Sequence, residues 1–485
     1  MMPRHSELKP SKYSELYDIL IPKDNELRRL TELVDFSFVY DELSSKYSLD
    51  MGRIAVDPIQ MFKYLYLKVR YDLSDRDLIE RAKTDMSMKF FLGLNPEDMV
   101  IHPSLLSKFR RQRLKDVCLL KLLISKTVQI AVDCGVLQNG AVIVDSTHTS
   151  TRYNQKSPVE TLRHASKILR KRLYEIDVSV KDELPKRNSK NNLKEEQQYV
   201  ERLLKFVKNR PNLLRPIKIS ESVNTLEELQ DDVKEYEKYS KDDDARVGHK
   251  TKDSSFFGYK THLAISENRI ITAAVVTGGE KGDGTYLEAL VTEANDNGMD
   301  VSEIIGDRAY SGKGNLQFTK NNNIALISRL TPVITMGLRS PAEIWDYNKD
   351  SGMFICPAGH MAWRKELINK YDRKKNLVEK YYFDINKCQN CSLKDGCYRP
   401  GAKTKTYSVT VRSDEHLSQE VFENTEYFNE RAKKRYEIEA KNSEMKNKHG
   451  YDQSWSNGIS SMTLQGAVTI FCVNMKRIMK LIDEK

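Results

Sequence analysis

The stretch GAVIVDSTHTS, residues 140–150, sets an apolar run (Ala141, Val142, Ile143, Val144) against Asp145 and a polar tail of Ser146, Thr147 and His148. A short apolar run rich in β-branched residues reads as a buried strand. The expected strand covers 141–145 and ends in its own carboxylate. Such an acid either caps the segment that follows or is the first ligand of a metal site.

Further strands are predicted at 256–265 (FFGYKTHLAI), 270–277 (IITAAVVT), 304–307 and 325–328, with a helix at 285–294. The order β-β-β-α-β-α-β implies an α/β layout around a mixed sheet. The strand at Ile304-Ile305-Gly306 also ends in an acid, Asp307. Ligand sites in open α/β sheets lie beyond strand ends. On neighbouring strands, Asp145 and Asp307 would enter one cleft. Mg²⁺ takes oxygen ligands, typically one or two carboxylates plus water and phosphate oxygens. A pair of ions needs a third acid to complete the clamp.

The candidate third acid lies in RAKKRYEIEAKNSEMKNKHG, residues 431–450. At helical spacing Arg431, Arg435, Glu439, Asn442 and Lys446 share one face. That face has no apolar residue to pack, which suits an acid that binds metal while its neighbours hold phosphates. The competing reading is a solvated helix with i,i+4 ion pairs. Glu437 and Glu444 are rival acids; Glu439 alone fits the spacing to both Arg435 and Lys446.

The remaining chain gives context. Of 485 residues, 39% are hydrophobic and 31% charged, and the net charge is +10. That excess favours a polyanionic partner, nucleic acid above all. Helix starts are expected at Asp57-Pro58, at Ser74 with Asp77, and at Pro103. The short helices resemble a helix-turn-helix bundle. The third carries Lys108, Arg110, Arg111, Arg113 and Lys115, cations enough to follow a phosphate backbone or simply to face water. An apolar helix follows at 116–136. Charged helical patterns at 158–176, 192–209 and 224–240, broken at Pro185, 187–189 and Pro211, read as an insertion between core strands. A late strand is expected at 407–411, and helices at 416–448 and 462–483. Lys260 and His262, two apart on one strand, face one side, and beside the site they would contact substrate or else line an exposed strand face. Arg308 and Tyr310 directly follow Asp307, where they would steer a strand end. His148 reads as a hydrogen-bonded loop histidine rather than a ligand.

Cys118, Cys134 and Cys472 read as buried thiols in apolar helices. Cys356, Cys388, Cys391 and Cys397 cluster instead, as C-P-A-G-H followed by C-x2-C-x5-C, which fits a structural Zn²⁺ site with His360 as a substitute ligand. No leader pattern and no apolar run of membrane-spanning length is found, so a soluble, intracellular protein is expected.

With VIVDST around Asp145, IIGDRAYSG around Asp307 and R-x3-E-x6-K at Arg435, Glu439 and Lys446, the chain resembles a bacterial insertion-sequence transposase of the DDE type, of the IS4/IS5-like superfamily and closest to the IS1182-like group. The segments DPIQMFKYLYLKVRYDLSDRDLIERAK and SLLSKFRRQR and the four cysteines match that group as well. One departure is Ala432, where related enzymes usually carry Tyr. The resemblance implies an RNase H-like mixed-sheet catalytic core with a helical N-terminal domain, a helical insertion and a small zinc-ribbon-like segment. The expected division is 1–136 for the DNA-binding helices, 137–155 with 250–345 for the core, 156–249 for the insertion, 346–402 for the cysteine segment and 403–485 for the part carrying Glu439.

It further implies that Asp145, Asp307 and Glu439 hold two Mg²⁺ (or Mn²⁺) ions for in-line phosphoryl transfer. Arg431, Arg435 and Lys446 would then touch DNA phosphates. The partners would be the duplex of the element's terminal inverted repeats and its target, handled by a homodimer in the bacterial cytoplasm, at the nucleoid, with no membrane involved. A metal-dependent nuclease without strand transfer, or a non-catalytic DNA-binding regulator, are the alternatives. No Gly-rich phosphate loop points to a kinase.

Overall fold

The structure, a computed structural model, describes residues 11–48, 54–114, 117–186, 192–234, 241–249, 254–332, 334, 345–372 and 375–485. Lys115, the 187–189 break and the 235–240 end of the third insertion helix lie outside the described residues.

The expected α/β layout is present: a helical N-terminal region, then a mixed sheet. The sheet consists of β1 (Ala141–Ser150), β2 (Arg246–His249), β3 (Ser255–Ser266), β4 (Ile271–Gly278), β5 (Glu303–Ile305) and β6 (Ala325–Ile327). Their order is β2-β3-β1-β5-β6, and β4 also pairs with β3. β3 runs antiparallel to both β1 and β4, while β1, β5 and β6 are mutually parallel. β2 was not anticipated.

β1 does not end at Asp145. Its ladder with β3 continues to Ser150, opposite Gly258, because β3 is long enough to supply partners throughout. On the other edge, β5 pairs β1 only from Ala141 to Ile143. From Val144 to Thr149 that edge of β1 has no strand partner among the described residues, until Ser150 is bridged by Gln453, and this opening is a crevice of the kind that open α/β sheets offer to ligands past strand ends.

Alternation along β1 sends Val142 and Val144 to one face and Ile143 to the other. Val142 and Val144 join Ala264 and the helix Leu287–Asp296 in one core. Ile143, Leu263 and Ile265 join a second, larger core, which also contains the C-terminal helix Ile459–Asp483 and the N-terminal helices. Phe471 sits at the junction, its ring centroid 5.7 Å from Phe62, 6.0 Å from Tyr66 and 6.3 Å from Phe36. Residues on either side of position 136 thus share one apolar interior.

The N-terminal starts form as expected. Asp57 caps Pro58–Arg70, Ser74 caps Asp75–Thr84, and Ser104–Gln112 follows Pro103. The insertion builds its own core from helices Pro158–Ile176, Leu193–Lys208 and Ile217–Lys234. Its two ends are tied together: Thr151 donates to Asp242 at 3.0 Å, and Asn154 bridges Lys241.

The cysteine segment forms β7 (Asp346–Asn348) paired with β8 (Met353–Ile355), then a sheet of β9 (Arg364–Ile368), β10 (Val378–Phe383) and β11 (Lys405–Thr410). β11 is the late strand expected at 407–411. It pairs with β10, so it belongs to the cysteine segment rather than to the part carrying Glu439. The reading of Cys118, Cys134 and Cys472 as buried thiols holds for Cys472 alone; Cys118 is exposed and Cys134 half-buried. Among the described residues no helix is long and apolar enough to cross a membrane.

Candidate active site

Asp145 points to the face shared with Ile143, at the open edge of β1. Its neighbour there is Asn442, whose side-chain amide donates to it at 3.4 Å. Asn442 lies on the helix Tyr436–His449, which crosses β1 and ends at Gly450 in the left-handed region (φ 61°), where a side-chain carbon would lie 2.1 Å from the Asp72 carboxylate. Asp307 follows β5 by two residues. One of its oxygens accepts from the backbone N–H of Ala309 at 2.9 Å, capping the short turn Arg308–Tyr310. The capping role considered for Asp145 thus falls to Asp307. Gly306 permits this placement, since a side-chain carbon there would sit 2.8 Å from the Tyr310 ring and 3.0 Å from Val144.

The two acids feel each other and their burial. Burial pushes the Asp145 carboxyl up to about 6, against the backbone N–H of Ser146 and Arg435, which favour its charge; Asp307 and Asp283 add to the rise. Burial also raises Asp307, opposed by the Ala309 N–H, Arg435 and Lys260. Half-buried like charges of this kind are relieved by a cation. Several buried polar atoms nearby have no partner: Tyr310 Oη, Asn442 Oδ1, Arg435 Nε and Thr147 Oγ1. Orphaned polar atoms around a pair of acids match a site that takes an ion and water.

Glu439 lies on the same helix face as Asn442 but is exposed and paired with Arg435 at 2.9 Å. Among the described residues no three His, Cys, Asp or Glu side chains stand close enough to hold a metal ion. The rival acids are tied elsewhere, Glu437 to Arg269 and Glu444 to Lys441 and Lys476. Lys446 approaches the His148 ring at 3.4 Å. His148 lies on β1, not in a loop, 4.9 Å from the Phe256 ring.

The expectation of one five-residue face needs correcting at Arg431. Residues Lys433–Arg435 form a 3₁₀ turn between the helices Glu426–Ala432 and Tyr436–His449. A 3₁₀ turn advances further per residue than an α-helix, so Arg431 is rotated away. It pairs with Glu303 at 2.5 Å and Glu267 at 2.8 Å.

Two expected DNA contacts are closed to solvent. His262 and Tyr310 are fully buried, so neither ring reaches a DNA strand. Lys260 and His262 do share a face, but it is that of Ala264, opposite the one carrying Asp145. The Lys260 ammonium is bonded to Asp283. On the N-terminal helix, Arg110 makes a double contact with Asp75 at 2.6 and 3.0 Å, and Arg113 donates to the Lys46 carbonyl. Lys108 and Arg111 remain exposed, as does Arg308.

Sequence reasoning missed two residues. Asp283 reaches Asp145, Asp307 and Tyr310 electrostatically. Its only signal was an acid between glycines in a loop after a strand. Arg329 lines a cavity of about 380 Å³ beside Asp307, together with Arg308, Arg435 and Ala432; it follows the end of β6, as Arg308 follows β5.

Cys356, Cys388, Cys391 and Cys397 line one pocket with His360, and all are free thiols. Burial and the three neighbouring thiols raise Cys388.

Two family models match the chain: Transposase domain (DUF772) over residues 15–112, and Transposase DDE domain over residues 355–479. Both matched models describe transposase domains, in keeping with the resemblance to the insertion-sequence DDE transposases. The first match covers the N-terminal helices with Lys108 and Arg111. The second covers the cysteines, Glu439 and the C-terminal helix; Asp145 and Asp307 lie before it. A comparison with curated proteins finds no match. A transposase DDE domain implies an RNase H-like core and an enzyme that acts on DNA with divalent ions such as Mg²⁺.

Proposed function

We propose that this transposase cuts and rejoins DNA at the ends of its own mobile element, with Asp145, Asp307 and Glu439 as its acidic triad. The observation that carries this reading is the pair of half-buried acids, Asp145 and Asp307, both raised by desolvation, at the open edge of β1. Glu439 is the one acid of its helix not committed to a cation on the far side; its partner Arg435 is a natural ligand for a DNA phosphate. Once a phosphate takes Arg435, Glu439 is free to turn toward the pair.

Two Mg²⁺ or Mn²⁺ ions held by the triad would supply an activated hydroxyl and charge neutralisation at the transferred phosphate. The protein's own part is positioning. Asn442 orients Asp145, Gly306 and the Ala309 N–H orient Asp307, and Arg435 with Lys446 hold the strand. Arg308 and Arg329 extend that grip beside Asp307. Lys108 and Arg111, free at the surface, follow the backbone of the terminal inverted repeat. Synapsis of two ends calls for a homodimer, working on element and target DNA at the bacterial nucleoid. Cys356, Cys388, Cys391 and Cys397, which line one pocket, would close on a structural Zn²⁺ that stiffens the small sheet before the Glu439 helix.

The test is cleavage of a labelled duplex carrying the element's terminus, with Mg²⁺ or Mn²⁺, beside Asp145→Asn, Asp307→Asn and Glu439→Gln. Each variant is expected to lose on the order of 10³-fold in cutting while still binding the duplex. Joining of the cut end to a second duplex completes the reading. Cutting without joining leaves a nuclease, and binding with cutting unchanged in all three variants overturns the triad.

A further inference from the structure

Asp283 belongs to the loop between β4 and the helix Leu287–Asp296. Its carboxylate accepts from the Lys260 ammonium at 3.0 Å, and the same ammonium donates to the Lys281 carbonyl at 3.0 Å. One loop therefore holds Lys260 twice. Beneath Asp283 lies the His262 ring, with Nδ1 3.6 Å from the carboxylate. That ring is fully buried, stacked on Tyr286 at 4.4 Å and bonded through Nε2 to Thr277 at 3.1 Å. Burial holds the imidazole at about 4, so it is neutral, and the cation paired with Asp283 is Lys260.

The loop also touches the turn that carries Asp307. A side-chain carbon at Gly284 would lie 2.3 Å from the Ala309 carbonyl, and the Asn315 amide spans the carbonyls of Gly284 and Tyr310 at 2.9 and 3.0 Å. Lys260 is within electrostatic reach of Asp307. A lysine side chain is a point charge on a flexible stem. Released from Asp283, it has an acid to pair with in Asp307, and an ammonium there covers the oxygens that a divalent ion needs.

We propose that Asp283 is a positioning residue that holds the Lys260 ammonium off Asp307, keeping the oxygens of Asp307 open to a metal ion; this rests on the reading of Asp145 and Asp307 as metal ligands. Asp283 is a decoy for a cation that would otherwise compete with the metal.

The test is Mn²⁺ affinity of the full chain without DNA, by titration calorimetry. Asp283→Asn is expected to weaken binding about tenfold, as loss of an outer-shell partner does. Lys260→Met alone is expected to leave affinity unchanged or tighter. The double variant is expected to return to about the original affinity, because the competitor is gone. A double variant as weak as Asp283→Asn overturns the proposal and makes Asp283 a ligand or a loop brace. If Asp283→Asn fails to fold, as judged by its melting transition, Lys260→Met still decides: a weaker affinity overturns the proposal. Asp145→Asn and Asp307→Asn distinguish the two levels of failure. Mn²⁺ binding that survives both overturns the site itself, and the inference with it.

Discussion

Asp145 and Asp307 are held by different means. Asp145 is met by the Asn442 side-chain amide as well as the Ser146 N–H, whereas Asp307 caps a turn through the Ala309 N–H and follows a residue with no side chain. Gly306→Ala should therefore act on Asp307 first, since its added carbon meets the Tyr310 ring and Val144. We expect terminal cleavage to fall about 100-fold, as for a small misplacement of a reacting group, with duplex affinity kept. Kinetics in which cleavage and binding fall together would point to a folding defect instead. The place of both acids at the end of an apolar run was legible in the sequence, because an apolar run broken by Asp needs no partner to be seen. Asp283 was not, because its importance comes from β3 and two turns converging on it.

Elements show how burial sets pH dependence. Glu293 lies in the helix Leu287–Asp296, nearly closed to solvent, with one oxygen unpartnered. Burial pushes its carboxyl up to about 7 against the Ala274 N–H and Lys121. A folded acid raised above its unfolded value keeps its proton longer than the unfolded chain does. Stability is then greatest below the unfolded value near 4.5, falls as pH rises toward 7, and is level above that. Glu293→Gln should raise unfolding free energy on the order of 2 kcal/mol at pH 8 and very little at pH 4, read by denaturant titration. The small sheet gives a second prediction. Metal analysis of the purified chain should find about one Zn²⁺, lost in Cys388→Ser and Cys391→Ser, with the zinc-free variants melting lower. A metal-free chain with unchanged melting would leave the thiols as a plain reduced cluster.

At the scale of the whole molecule, the larger core joins the two ends of the chain, with Phe471 against Phe36, Phe62 and Tyr66. The insertion stands apart, with its own core and both ends meeting at Thr151 and Asp242. Replacing residues 157–240 by a short flexible linker should leave the rest folded, since its closing contacts sit outside the excised piece. The check is one cooperative melt at near the original temperature. A collapse of that transition would show that the insertion braces the sheet.

The sequence by itself determined what is local. Caps at Asp57 and Ser74 start helices where they should, and Pro158–Ile176 was legible end to end because its helical pattern is written in consecutive residues. Apolar runs marked the core strands, and helical spacing put Glu439 and Asn442 on one helix face. Tertiary structure decided what depends on partners. The length of β1 came from β3, and its open edge from the short β5. Arg431 left the expected face because a 3₁₀ turn interrupts the register. His262 and Tyr310, polar and near the acids in sequence, are buried by neighbours distant in the chain. Periodicity reports which face a residue takes; only packing reports what covers that face.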